Sequence, residues 1–412
     1  MILLTSLFFV LAILLLFYAS FVTFSILAMM ILPSSKSKKN LKASKIDIAC
    51  VITAYQDLTI SIPLLDSVLN QNYPDFHIYL VADRCVPHPH LPADKRLTVI
   101  YPDKPLDSKV SSLKAGLTHR KRHHDAVLVL DPDNLLHPDS LAYLSHSFRK
   151  GNNAVQGRRT AKNLDTRVAC LDALGEIYYN FIHKELPDRL GSSATISGSG
   201  MLIEAGLFEQ YLADFDIGKS RLILAEDKIL QNTLVAKGVR IAYQKNALIF
   251  DEKSSDVEQV QKQRTRWLKS YFDHLNDIFH LFLKKIAILE WNGIYFSIMT
   301  STPPLIFLTL GVLLSFCYGF FLNYYIFLIS ATVIILTGIN WFLALIFSNT
   351  PASIWKSIPF IPLFAGIQIL SLLGFKQAKT DFLVTKHDKY LNYKQVWEAR
   401  KNDFPDLKEN KP

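Results

Sequence analysis

The sequence predicts an α/β domain with a mostly parallel sheet, held between apolar segments long enough to cross a membrane. Three observations predict it. Hydrophobic residues make up 50% of the 412 residues and charged residues 20%, against about a quarter charged in soluble proteins, and the apolar residues pile up at 1–32 and 286–375. Between those blocks, short β-rich runs alternate with helical stretches, the pattern of a parallel sheet covered by helices on both faces. Acidic residues fall where the strands end, the side on which such sheets take their ligands.

Residues 2–32 carry no charge, and a membrane-spanning helix needs about 20 residues. A secretory signal peptide is the rival reading. No Lys or Arg precedes the run, it is longer than a signal core, and no small-residue cleavage site follows, so a retained anchor is expected. The next stretch, SKSKKNLKASK, is basic. The positive-inside tendency places it, and the domain after it, in the cytosol.

Strands are expected at 46–53, 77–82, 97–101 and 126–130, with helices such as 60–71 and 108–120 between them. Asp57, Asp83, Asp131 and Asp133 fall at strand ends. Residues 256–285 read as an amphipathic helix rich in basic and aromatic residues, suited to a membrane interface. Apolar segments follow at 294–322, 324–347 and 357–375. Three full spans there would put the basic tail outside. Residues 376–412 have nine Lys or Arg against six Asp or Glu, which favours the inside. One segment is therefore expected to be interfacial or re-entrant, or the first to be broken around Pro303 and Pro304. The chain divides into an anchor (1–32), a basic linker (33–45), the α/β domain (46–255), the amphipathic helix (256–290), apolar segments (291–376) and the tail (377–412).

The net charge is +9. Lys and Arg cluster beside the apolar segments, which points to anionic lipid headgroups; no RNA or DNA module is visible, so nucleic acid is not an expected partner. Cys50, Cys85, Cys170 and Cys317 form no CxxC pair, so neither a zinc site nor a disulfide framework is indicated. His119, His123 and His124 lie in a basic stretch without ligand spacing.

Four motifs could carry chemistry. In LVLDPDN (128–134) a hydrophobic strand runs into Asp131 and Asp133. Two hard oxygen donors at a strand end suit Mg²⁺ or Mn²⁺ with a diphosphate, although Asp, Pro and Asn also make a plain turn. In LAEDKIL (224–230), Glu226 and Asp227 open a helix; a carboxylate there can serve as a general base or merely answer the helix dipole. Gln263, Arg264, Thr265, Arg266 and Trp267 offer phosphate-binding guanidinium groups and a flat ring, or a basic interfacial helix with an aromatic anchor. Gly198, Ser199, Gly200 and Met201 form a loop whose glycines allow close backbone approach; a plain loop is the alternative.

In order, Asp83, Asp131/Asp133, Gly198–Gly200, Glu226/Asp227 and Gln263–Trp267 resemble the processive branch of the family 2 glycosyltransferases, which includes cellulose, hyaluronan, chitin and poly-N-acetylglucosamine synthases. Its single-sugar relatives include ceramide glucosyltransferase. VITAYQD (51–57) resembles that family's opening. SVLNQNYPDFHIYLVADRC (67–85) resembles its helix, turn and second strand, and Lys109 followed by LKAGL its lysine region. The resemblance covers about 46–270. Thr53, Gln56, Asp57, Pro132 and Ser270 depart from the family's usual residues.

The resemblance implies a GT-A-type nucleotide-sugar-binding domain flanked by transmembrane helices. It implies that Thr53, Tyr55, Asp57 and Asp83 hold uridine and ribose, with Lys109 near the nucleotide. Asp131 and Asp133 would match the metal motif, Asp133 as the direct ligand. Asp227 would be the catalytic base beside Glu226. Gln263, Arg266 and Trp267 would close the donor site, and Gly198, Ser199, Gly200 and Met201 would line the acceptor side with Trp267. The expected function is inverting transfer from a nucleotide-sugar, a UDP-sugar by the resemblance, to a growing polysaccharide, with Mg²⁺ or Mn²⁺. Lipid is the alternative acceptor, and a catalytically inactive membrane scaffold the rival class. The expected setting is a bacterial inner membrane with a cytosolic catalytic domain. A partner subunit for export is also expected, since few spans are available for a channel.

Overall fold

The computed structural model describes residues 1–32, 45–215, 225–363, 365–366, 369 and 389–407. The basic linker at 33–44, about half of the apolar segment at 357–375, including all of 370–375, and the first part of the tail lie outside the described residues.

Eight strands form one sheet: β1 (Ile48–Tyr55), β2 (Phe76–Asp83), β3 (Leu97–Ile100), β4 (Ala126–Leu130), β5 (Leu135–Leu136), β6 (Ala154–Ala161), β7 (Met201–Glu204) and β8 (Ile241–Asp251). Their order is β3-β2-β1-β4-β7-β6-β8-β5. The first four run parallel. β7 is antiparallel to β4 and to β6, β5 is antiparallel to β8, and β6 and β8 are parallel. The half built from β1 to β4 is thus the parallel sheet expected. The other half is mixed. Its β7 is only four residues long, and polar residues such as Gln156, Arg158 and Lys245 interrupt the alternation in β6 and β8 that would announce a strand.

The helices are α1 (Ile2–Ile31), α2 (Ser61–Leu69), α3 (Lys109–Thr118), α4 (Ser140–Arg149), α5 (Arg167–Asn180), α6 (Leu186–Arg189), α7 (Ala205–Asp214), α8 (Glu226–Ala236), α9 (Val257–Ala287), α10 (Trp291–Ser301), α11 (Leu305–Leu322), α12 (Tyr324–Phe347) and α13 (Ala352–Trp355), with a last helix at Tyr393–Arg400. Strand pleating sorts the core. Ile48, Cys50 and Ile52 meet Leu64, Leu65 and Val68 of α2 and Leu141 and Leu144 of α4 on one face. Ala49 and Val51 meet α3, α7 and α8 on the other. Each fully buried Ile, Leu or Val among them contributes roughly 1.5–3 kcal/mol. Gly116 lets α3 sit on the sheet, since a Cβ there would lie 2.8 Å from Val51 Cγ1.

α1, α11 and α12 are long and apolar enough to cross a membrane. α1 runs antiparallel to α11: Thr5 Oγ1 lies 2.6 Å from Tyr318 Oη at one end, and Tyr18 Oη lies 3.1 Å from Ser301 Oγ toward the other. Asn340 Nδ2 donates to Ala19 O at 3.0 Å, and Thr23 Oγ1 donates to Asn340 Oδ1 at 2.9 Å. Such interhelical bonds pair polar groups that lipid cannot satisfy. The helix expected at 294–322 is interrupted at Pro303 and Pro304, which lack the N–H a continuous helix needs. α10, with eleven residues, is too short to span and packs on α9.

Beyond α12 and α13, residues 389–407 lie against the α/β domain. There Val396, Phe404 and Leu407 pack against Leu135, Leu248 and Phe250, and Arg400 Nη1 donates to Ala161 O. The tail therefore lies against the catalytic domain.

Candidate active site

Parallel pairing puts Tyr55 beside Asp83 and Ile52 beside Leu130, so the carboxyl ends of β1, β2 and β4 open on one edge. Sequence places an acid at or just past each of these ends.

At the β1 end, Gln56 takes a left-handed φ of +64°, and Asp57 Oδ1 accepts from Thr59 N at 2.8 Å. Thr53, partly buried, pairs with Val81. At the β2 end, Asp83 is buried, and its carboxylate accepts from Leu106 N at 3.0 Å and Asp107 N at 2.8 Å. Asp83 thereby anchors the loop ahead of α3. Asp107 accepts from Tyr55 Oη at 3.1 Å and from both Nε and Nη2 of Arg84 at 2.7 Å. Sequence reasoning missed Arg84 and Asp107. Asp107 reads as an ordinary residue before a helix whose N-cap is Ser108, and nothing in the spacing signals its partner.

The Ser108 cap sets Lys109 at the first turn of α3. Its Nζ lies 2.6 Å from Asp131 Oδ1, 3.0 Å from Gly198 O and 3.6 Å from Glu226 Oε1. Burial alone would lower the Lys109 pKa, but Asp131, Glu226 and Asp227 outweigh it and hold the ammonium above its ordinary range. Burial, opposed by Lys109 and reinforced by Asp227, holds the Glu226 carboxyl above its own. Ala225 enters α8 in a left-handed conformation, φ +70°. A Cβ on Gly198 would lie 3.7 Å from both Asp227 Oδ2 and Lys109 Nζ.

Gly198 and Gly200 have φ of +75° and +67°. Gln156, fully buried, holds this loop: its Nε2 donates to Ser199 O at 3.0 Å and its Oε1 accepts from Ser197 N at 3.1 Å. Met201 begins β7, and Gly200 N donates to Val129 O at 2.8 Å. Arg159 Nη1 donates to Ser197 O at 2.6 Å while its Nη2 donates to Asp251 Oδ2 at 2.6 Å. Lys253 joins Asp251 at 2.9 Å and Glu176 at 3.0 Å. Burial would raise Asp251, but Arg159 and Lys253 hold it well below the usual carboxylate range.

Asp133 is buried and accepts from Asn134 Nδ2 and Glu252 N, both at 3.3 Å. Among the described residues no group of three or more His, Cys, Asp or Glu forms a metal cage. Asp131 and Asp133 supply hard oxygen donors. That set fits a Mg²⁺ or Mn²⁺ ion, which takes one or two carboxylates and completes its shell with substrate phosphates and water.

On α9, Gln263 and Arg266 are partly buried and Trp267 is 54% exposed. Among the described residues these three form no hydrogen bond or ion pair with the acidic cluster. Burial lowers the Arg266 pKa. Its neighbour Arg264 donates to Asp172 Oδ1 of α5 at 3.1 Å.

An α/β sheet of this order, with its acids at the carboxyl edge and apolar helices at either end, is the GT-A type of glycosyltransferase fold. Residues 46–270 match the family described as glycosyltransferase-like family 2, over half of the chain, and the protein belongs to that family. Among solved structures, a mannosyltransferase from Pyrobaculum calidifontis in complex with GDP-Man and Mn²⁺ is 14% identical with a TM-score of 0.50, covering 92% of this chain and 98% of that one. TarS of S. aureus is 14% identical with a TM-score of 0.35, covering 54% of this chain and 40% of that one. No curated protein matches the sequence.

Proposed function

We infer that this glycosyltransferase moves a sugar from a nucleoside-diphosphate donor to a hydroxyl acceptor at a membrane surface, by one inverting displacement. The observation that carries the reading is the Lys109 ammonium, within 3.6 Å of Asp131, Glu226 and the Gly198 carbonyl. It joins the donor, base and acceptor motifs in one contact set.

A divalent ion held by Asp131 and Asp133 would supply charge neutralisation to the leaving diphosphate. Tyr55, Asp57 and Asp83 line the edge assigned to the nucleoside. Lys109 and Arg266 supply fixed positive charge near the diphosphate. Asp227 takes the proton from the acceptor hydroxyl as its oxygen attacks the anomeric carbon. Attack from the face opposite the leaving group inverts that carbon, so an α-linked donor yields a β-linked product. The loop Gly198–Met201, with Trp267, lines the acceptor side. The domain faces the cytosol of a bacterial inner membrane, consistent with the basic linker.

A growing glycan is the acceptor favoured by the Gln263–Trp267 motif. A lipid acceptor is the second reading, favoured by three spans that pack on one another, with Ala12, Leu15 and Ala19 of α1 buried against α11 and α12. Product sizing separates them: a ladder against one added sugar.

Asp227→Asn tests the base. Transfer should fall at least about a hundredfold while donor binding stays within about threefold. Wild-type turnover in that variant would remove Asp227 from the reaction.

A further inference from the structure

One cleft lies outside all of the expected motifs. It opens where the α/β domain, the end of α12 and the tail meet, and no residue assigned to donor, base or acceptor is among those lining it. Irregular backbone builds it. In the ladder of β6 and β8, Gly157 pairs with Gln244 and Arg158 with Leu248. Lys245, Asn246 and Ala247 are thereby left without partners on β6, and such bulges often re-aim side chains beside functional sites. Asn349, two residues past α12, also lines the cleft and has a left-handed φ of +50°, a conformation that gathers at ligand clamps.

The charges in the cleft do not cancel. Arg158 Nη2 donates to Ser348 O at 3.3 Å, and its Cζ lies 5.4 Å from the centre of the Phe404 ring. Among the described residues no carboxylate answers it. The other charges are answered: Lys245 Nζ lies 3.6 Å from Glu185 Oε1, and Asp403 Oδ2 accepts from Arg400 Nε at 2.6 Å. The wall therefore carries one positive charge in surplus. Tyr243 and Asn246 line the same cleft, and neither side chain meets a hydrogen-bond partner among the described residues. Burial raises the Tyr243 pKa, so its hydroxyl stays a donor. A guanidinium presents its N–H groups as a planar fork that matches two phosphate oxygens.

What reaches the cleft follows from its place. Ser348 and Asn349 directly follow α12, a candidate span, and Phe347 lines the cleft while staying 39% exposed. The phosphates of a bilayer lie at the ends of its spans, beside just such apolar surface. We propose that Arg158, Tyr243 and Asn246 hold the phosphodiester of an anionic membrane lipid, with Lys245 at the rim. One surplus positive charge matches the single negative charge of that headgroup. A choline lipid brings its own cation and loses the match. A lipid seated there ties the end of α12 to the domain and, through Phe404, to the tail. The site is independent of the donor reading.

Titration of the full chain, purified in an uncharged detergent, tests this through the rise in thermal midpoint that a ligand of the folded state produces. The probes are short-chain phosphatidylglycerol, short-chain phosphatidylcholine and glycerol 1-phosphate. Wild type should bind phosphatidylglycerol at least about threefold more tightly than phosphatidylcholine, and glycerol 1-phosphate at the same concentration should leave the midpoint unmoved. Arg158→Gln should weaken phosphatidylglycerol at least about tenfold, since it removes a charge-assisted hydrogen bond. Lys284→Gln, which removes one exposed charge from α9, should stay within about twofold of wild type. If Arg158→Gln does not fold, Tyr243→Phe decides: loss of the hydroxyl alone should weaken the lipid about threefold. No response of wild type to phosphatidylglycerol, equal response to phosphatidylcholine, or an equal loss in Lys284→Gln would overturn the site. So would an Arg158→Gln protein, or in its place a Tyr243→Phe protein, that binds like wild type. A midpoint raised as far by glycerol 1-phosphate would overturn the lipid as its ligand.

Discussion

Lys184 lies in the single π turn after α5, with no surface exposure, and its Nζ donates to Asn180 Oδ1 at 2.8 Å and to Ser197 Oγ. Burial pushes its pKa from 10.5 to about 7, with Glu176 opposing. The folded chain therefore binds fewer protons than the unfolded chain between those values, and stability rises with pH across that window. Below pH about 7 the buried ammonium carries its full desolvation cost. Lys184→Met should thus stabilise the protein more at pH 6 than at pH 9, by a difference on the order of 2 kcal/mol. Thermal midpoints at the two pH values read it, and a pH-independent difference would contradict it. Residues of this kind mark the limit of the sequence. Asp131 and Asp133 were legible because a hydrophobic strand runs straight into them. Lys184, Arg159, Glu176, Asp251 and Lys253 were not, since their partners lie far apart in sequence and only folding makes them one network. Asp83 was legible as a strand-end acid, but its backbone partners at 106–107 were not.

Among the elements, the loop between residues 196 and 200 is held by two positive-φ glycines and by Gln156. Gly200 has φ +67°, and a Cβ there would sit 2.9 Å from Ile249 Cδ1. Gly200→Ala should cost about 1–3 kcal/mol, from the backbone and the clash together. A denaturant midpoint equal to wild type would show that the loop yields freely. The tail makes a second test. Phe404 is 4% exposed and lies against Phe250 and Trp397. Phe404→Ala should cost about 3 kcal/mol. Glu252 links this tail to Asp133, accepting from Lys389 N and donating its own N–H to the Asp133 carboxylate, so on the proposed metal role of Asp133 the same variant should weaken nucleotide-dependent Mn²⁺ binding. Helix and strand positions were legible to within about three residues, as element ends usually are. β1 ends at Tyr55 rather than 53 because Thr53, Ala54 and Tyr55 find partners in Val81, Ala82 and Asp83. The mixed half of the sheet was not legible, because burial of its polar strand residues depends on tertiary bonds such as those of Gln156.

For the whole molecule, the sequence allows several membrane topologies, and the tail packed on the α/β domain favours those that put the two on one side. With α1, α11 and α12 as the candidate spans, the N-terminus lies on one side and both the catalytic domain and residues 389–407 on the other. Cysteines placed singly at Ser6 and Asn402 should label from opposite sides of sealed vesicles; labelling from the same side would refute the arrangement. The central claim is that acids from separate strand ends converge on one diphosphate and its divalent ion. Paramagnetic resonance of Mn²⁺ with the purified protein tests it most directly. Wild type should bind Mn²⁺ tightly only when UDP or GDP is present, and Asp133→Asn should weaken that binding at least about tenfold. Mn²⁺ binding that ignores the nucleotide, or that survives intact in Asp133→Asn, would contradict the account.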